Sequence, residues 1–176
     1  MPRQDFESKA EHTLRETDTY RVPVPIDVVA HRLKLAVEAA DLGENISGMI
    51  VIENGRGAIG YNETHAPVRQ RFTISHEIAH YLLHVNNNKN SKPQLFIDRS
   101  VTFRRDENSS TGDDNKEVEA NKLGAALLMP KSLVHQEVKK HDLDLDDEDA
   151  ISLLARRFNV SAAAMANRLI NLGMLR

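Results

Sequence analysis

The chain has no cysteine and no tryptophan among its 176 residues, and only 5% of it is aromatic. Without thiols, disulfides, iron–sulfur clusters and cysteine-held zinc are excluded, so any bound metal must rest on histidine and carboxylate. Long apolar runs of the kind that span a membrane as a helix are also missing. The amino terminus, Met1-Pro2-Arg3-Gln4-Asp5, lacks the apolar core of a secretory signal, and a soluble cytoplasmic protein is expected. Charge of one sign is not in excess either: 23 Lys and Arg stand against 26 Asp and Glu, a net charge of -3. That balance gives no global attraction to nucleic acid. What is present, 28% charged and 40% hydrophobic residues, suits one globular domain, and a chain of this length buries roughly two-thirds of its unfolded surface. Eight histidines then become the obvious material for a metal site.

Residues 1 to about 22 are polar with scattered apolar positions and lead into Val22-Pro23-Val24-Pro25, which proline restricts to extended backbone. This stretch reads as an N-terminal arm. From Asp27 to Ala40 the apolar residues largely keep helical spacing, with Asp27 as N-cap and Gly43 beyond the end, so a first helix is expected. Ile46 to Glu53 and Gly57 to Tyr61 are β-rich runs around Asn54-Gly55, a hairpin dipeptide, and a further strand is expected from Leu95 to Phe103. Phe72 to His84 is apolar round most of a helix (Ile74, Ile78, Ala79, Leu82, Leu83), the pattern of a buried central element. Loops are expected at Asn86 to Pro93 and Asp106 to Asp114. A second long helix should run from about Asp113 to Met129, where Pro130 stops it, with shorter helices around Ser132 to Lys140. Asp142 to Asp149 holds six carboxylates in eight residues, and because repulsion keeps such a run solvated, a boundary is placed there. Ile151 to Arg176, with four arginines and no acid, reads as two short helices broken at Asn159-Val160-Ser161.

Within the buried helix, His76-Glu77-Ile78-Ala79-His80 matches the His-Glu-x-x-His zinc motif. Positions 76 and 80 lie about 40° apart on one face and about 6 Å along the axis, so both imidazoles can converge on one ion. Glu77, about 100° from His76, sits beside that ion without aiming at it, as suits a base acting on metal-bound water. The plainer reading makes both histidines ordinary core residues, but two His and a Glu in an apolar helix cost several kcal/mol unless paired or ligated.

A catalytic zinc needs a third protein ligand. Lys116-Glu117-Val118-Glu119-Ala120-Asn121 opens the later helix and offers two. Glu117 and Asn121 are four apart and share a face, so Glu117 can reach a metal while Asn121 supports a ligand histidine by hydrogen bonding. Glu117 is preferred, with Glu119, about 200° away, as the alternative; without the upstream motif both would be ordinary solvated acids. His84 is about 12 Å along the axis from His76, too far to share the metal, and a supporting or packing role is expected. Tyr81 is a further supporting candidate, while the spacing of His65 and the other histidines says nothing specific.

These stretches resemble the ImmA/IrrE family of metallopeptidases. Arg71-Phe72-Thr73-Ile74-Ser75-His76-Glu77-Ile78-Ala79-His80-Tyr81-Leu82-Leu83-His84 is similar to its active-site helix. Glu117-Val118-Glu119-Ala120-Asn121-Lys122-Leu123-Gly124-Ala125-Ala126-Leu127-Leu128-Met129-Pro130 resembles its second signature, with Leu123-Gly124 where Phe-Ala is more usual. The resemblance covers roughly residues 22 to 176. It implies an α+β, zincin-like helical core with a small antiparallel or mixed sheet, one zinc per chain (other divalent ions being compatible with these ligand types), and Glu117 as third ligand. It also implies an edge strand for an extended substrate, for which Gly57, Ala58, Ile59, Gly60 and Tyr61 are the expected residues. The implied reaction is peptide hydrolysis with Glu77 moving the proton. Members of the family typically cut a helix-turn-helix repressor and so release stress, phage or mobile-element genes, which makes such a repressor the expected substrate and partner, with no membrane partner.

The expected organisation is therefore an arm (1–22), a metallopeptidase core (23–141), and an acidic linker with a helical tail packed on or near the core (142–176). The tail, Leu153 to Leu169, resembles a helix-turn-helix with Ser161 capping its second helix. This supports a rival reading: a regulator without turnover, binding DNA or a repressor through the tail with Arg168 near phosphates or bases, and zinc structural or sensory. The rival is the weaker one, because Ala162-Ala163-Ala164-Met165-Ala166 offers almost nothing able to read base edges.

Overall fold

The computed structural model describes residues 5–53, 56–85, 93–99, 111–145 and 147–175. The segment read as an arm contains a helix, α1 (Phe6–Glu16), whose first turn is capped by Asp5 accepting from the Ser8 amide. Ala10 and Leu14 on its inner face are fully buried. Helix α2 (Ile26–Arg32) follows the proline segment.

The helix expected to continue to Ala40 ends at Arg32. Lys34 takes a left-handed backbone conformation (φ 63°), and residues Leu35–Ala40 leave it as strand β1. Apolar spacing in this stretch is compatible with either period. What decides is the partner: β1 pairs in parallel with β3 (Arg56–Asn62), Leu35 opposite Gly57 and Val37 opposite Ile59, and tertiary pairing overrides local helix propensity. Strand β2 (Ile46–Glu53) forms the expected antiparallel hairpin with β3, although the Asn54-Gly55 turn lies outside the described residues. The further strand is β4 (Gln94–Arg99), antiparallel to β2; the rest of its expected span, to Phe103, also lies outside them.

The mixed sheet runs in the order β1-β3-β2-β4. This corrects the expected edge strand. Gly57, Ala58, Ile59, Gly60 and Tyr61 are hydrogen-bonded on both sides, because β1, drawn from residues that read as helix, occupies the flank that would have been free. Among the described residues the edges are β1 and β4.

Helix α3 (Pro67–His84) starts five residues before the expected Phe72, with Pro67 in its first turn, where a missing N–H costs nothing. It lies across one face of the sheet, and α4 (Thr111–Leu128) packs along its other side. Two glycines set these distances. A Cβ on Gly48 of β2 would lie 2.2 Å from Thr73 Cγ2 and 3.3 Å from Glu77 Oε1, and one on Gly124 of α4 would lie 3.3 Å from both N and Cα of His76. The expected loop at Asn86 to Pro93 falls outside the described residues apart from Pro93, and the end of the one expected at Asp106 to Asp114 is already backbone of α4.

Pro130 ends α4, and α5 (Lys131–Lys140), α6 (Glu148–Phe158) and α7 (Ala162–Asn171) complete the chain. Asn159 adopts φ 53° between α6 and α7, and the Ser161 hydroxyl accepts from the Ala164 amide. Leu154, Phe158, Met165 and Leu169 belong to the same buried cluster as Ile78, Leu127 and Leu14.

Candidate metal centre

The side chains of His76, Glu77 and His80 sit on the turns of α3 caught between sheet and α4, and all three are at most 1% exposed. Their Nε2 atoms bring the two imidazoles together at 3.0 Å. Glu117, on the first turns of α4, straddles them: Oε2 lies 3.3 Å from Nε2 of His76 and Oε1 lies 3.2 Å from Nε2 of His80. Two facing ring nitrogens share at most one proton, so hydrogen bonding alone does not satisfy this cluster. A tetrahedral ion with bonds of about 2.0–2.1 Å holds its ligand atoms roughly 3.3 Å apart, close to the spacings seen. Both Glu77 oxygens and Nδ1 of His80 are buried with no hydrogen-bond partner among the described residues. Burial of such groups is costly, and a cation with its water would relieve it. His76, His80 and Glu117 thus fit a divalent cation, with Glu77 alongside.

Electrostatics follows from burial. Desolvation, with the carboxylates of Asp98 and Glu117 adding to it, pushes the Glu77 carboxyl up to about 9. For Glu117 burial works in the same direction, but hydrogen bonds and charge from His76 and His80 outweigh it and hold that carboxyl well below the usual range.

The surrounding residues divide clearly. Asn121 Oδ1 accepts from Nδ1 of His76 at 3.0 Å, which leaves the Nε2 lone pair directed at Glu117 and the second histidine. His84 is not in the cluster; its Nε2 donates to the Lys116 carbonyl at 3.2 Å and so ties the end of α3 to the turn carrying Glu117. Burial lowers the His84 pKa, although that bond acts the other way. Glu119 points to His84, at 3.8 Å, and away from the cluster. Tyr81 packs half-buried against the hydrophobic core.

Sequence reasoning missed Phe96 and Asp98. The Phe96 ring stacks on His80 with centroids 5.0 Å apart and planes at 23°. Asp98 is opposite Gly48 in the sheet, whose Cα adjoins Glu77. The alternation of β4 was the available signal, since Phe96 and Asp98 face inward while Leu95 and Ile97 are exposed. Beside the cluster, Gln94, Leu95, Phe96, Ile97, Lys116 and Glu117 line a cleft of about 440 Å³.

Arg168, the cation expected near DNA, is 5% exposed. Its Nε donates to the Met129 carbonyl at 2.9 Å and its two terminal nitrogens donate to Glu7 at 2.8 and 2.6 Å. The tail's central arginine thus clamps α7 to α1 and to the end of α4.

Among curated proteins, none matches the sequence. A solved structure described as a Mycobacterium tuberculosis transcriptional regulator is similar with a TM-score of 0.61 at 18% identity, over 95% of this chain and 47% of that one. The chain therefore spans about half the length of that protein, and at this identity the likeness concerns the fold alone. No helix among the described residues is long and apolar enough to cross a membrane. The family model for the IrrE N-terminal-like domain matches residues 30–170. That span holds the paired histidines, Glu77 and Glu117 and most of the chain, which accordingly belongs to this family of metallopeptidases.

Proposed function

We propose that the chain is a zinc-dependent endopeptidase that cuts a helix-turn-helix repressor at a specific site. The observation that carries this reading is the convergence of His76, His80 and Glu117 beside a buried Glu77 whose oxygens have no other partner among the described residues. Zinc held there would supply Lewis acidity to a scissile carbonyl and lower the pKa of a bound water. Glu77, beside that water, would take its proton and deliver it to the leaving amine. Asn121 fixes the tautomer of His76, Phe96 holds the His80 ring, and His84 anchors the backbone before Glu117. The β4 edge beside the cleft, in place of β3, is the strand to which an extended peptide adds.

The test joins metal analysis to cleavage of a co-expressed repressor. Glu77→Gln should retain zinc and lose turnover by roughly 10²–10⁴-fold, while His76→Ala and Glu117→Ala should lose the metal. If neither ligand substitution lowers bound metal, the site is misassigned.

A further inference from the structure

The face of the sheet turned away from α3 carries an apolar row across all four strands. Ala36, Ala58, Val51 and Leu95 are in register across β1, β3, β2 and β4, and all four are exposed, Leu95 at 56%. Next to them Gly60, Met49 and Ile97 continue the row's apolar character on β3, β2 and β4, while on the outer strand β1 the same row ends in the exposed Glu38. No described element covers this face. The two halves differ in relief. On β1 and β3 the residues are small, and they floor a broad depression that Lys34, Arg56 and Glu53 border. On β2 and β4 they are large.

We infer that this face is an interface between two copies of the chain, related by a two-fold axis parallel to the strands between β3 and β2. That axis sets β3 of one copy over β2 of the other, and β1 over β4. Each small residue then meets a large one: Ala58 faces Val51, Ala36 faces Leu95, and Gly60 faces Met49 of the second copy. Charge follows the same symmetry. Arg56 and Glu53 are exposed, opposite each other on β3 and β2, and neither has an ion pair with a described residue. The axis carries Arg56 of each copy onto Glu53 of the other, giving two ion pairs at one end of the interface. Aligned packing of this kind keeps strand directions within about 30°. Leu95 and Ile97 also line the cleft with Glu117, so the interface reaches the rim of that cleft, while association itself is read without any peptidase activity.

A face four strands wide and about six residues long measures roughly 19 by 20 Å. That is about half the area per partner of a standard stable interface. The expected species is therefore a reversible dimer with a micromolar dissociation constant, not an obligate one.

Sedimentation velocity of the purified full chain, from a few micromolar to several hundred micromolar, tests this. A concentration-dependent shift from monomer to dimer is expected, and Val51→Glu should raise the dissociation constant by at least about tenfold. Glu53→Arg and Arg56→Glu should each weaken association, and the double variant Glu53→Arg/Arg56→Glu, which restores opposite charges across the axis, should recover it. Unchanged metal content and circular dichroism in these variants excludes misfolding as the cause. A monomer at every concentration would overturn the proposal. So would a dimer insensitive to Val51→Glu, or one that the double charge swap fails to restore.

Discussion

Asn121 makes one hydrogen bond to the cluster, to Nδ1 of His76, and does so from outside the ligand set. Its effect on the metal should therefore be through orientation. Asn121→Ala is expected to weaken metal binding by roughly 10–100-fold and, because it leaves the buried Nδ1 of His76 without its partner, to cost the metal-free protein about 1–3 kcal/mol; competition with a chromophoric chelator and urea denaturation read the two quantities separately. Gly48 acts by what it lacks. An added Cβ would lie 2.2 Å from Thr73 Cγ2, on a residue that is itself buried, so Gly48→Ala should cost about 1–3 kcal/mol through forced repacking. Removing that methyl group with Thr73→Ser should return part of the loss, and equal stability of the single and double variants would show that the close approach is not the cause.

Helices α3 and α4 each contribute ligands, so a bound ion bridges two elements that otherwise touch through side-chain packing and a few hydrogen bonds: Ser75 Oγ to the Gly124 carbonyl at 2.7 Å, His76 to Asn121, and His84 to the Lys116 carbonyl. Metal held only by the folded pair stabilises it, by about 2.7 kcal/mol at a free concentration 100 times the dissociation constant. Chelation should accordingly lower the melting temperature of the native protein, and differential scanning calorimetry of Glu117→Ala should show no such response. This pair of helices was also the most legible part of the chain. A five-residue motif on a nearly all-apolar helix is a local pattern, and Pro130 marks the end of α4 by simple sterics, whereas the start of α3 at Pro67 was placed too late, at Phe72. Strand β1 was not legible, because Leu35–Ala40 has no strong period of its own and becomes a strand only through β3. The same missing strand misplaced the sheet edge, and with it Phe96 and Asp98, whose positions depend on which face of β4 looks at α3.

Across the whole molecule the first and last helices are fastened by Arg168, bound to Glu7 161 residues away. Arg168→Met keeps much of the side chain's bulk but loses both contacts; with Glu7 partly exposed, a loss of about 2 kcal/mol is expected in guanidinium denaturation. The same burial predicts that the tail binds DNA no better at low salt than a mutant lacking its exposed Arg156, as fluorescence anisotropy can check; salt-dependent binding lost in that variant would revive the rival reading. The placement of the ligands has one more result, for folding. The β2–β3 hairpin closes over a few residues, whereas His76 and its support Asn121 are 45 apart in sequence, and contacts of such separation form late because their loop-closure entropy must be met first. A growing chain thus exposes its two histidines long before Glu117 arrives beside them. Metal uptake in stopped-flow refolding should track the slowest phase, so that the metal centre is completed only as the last step of folding.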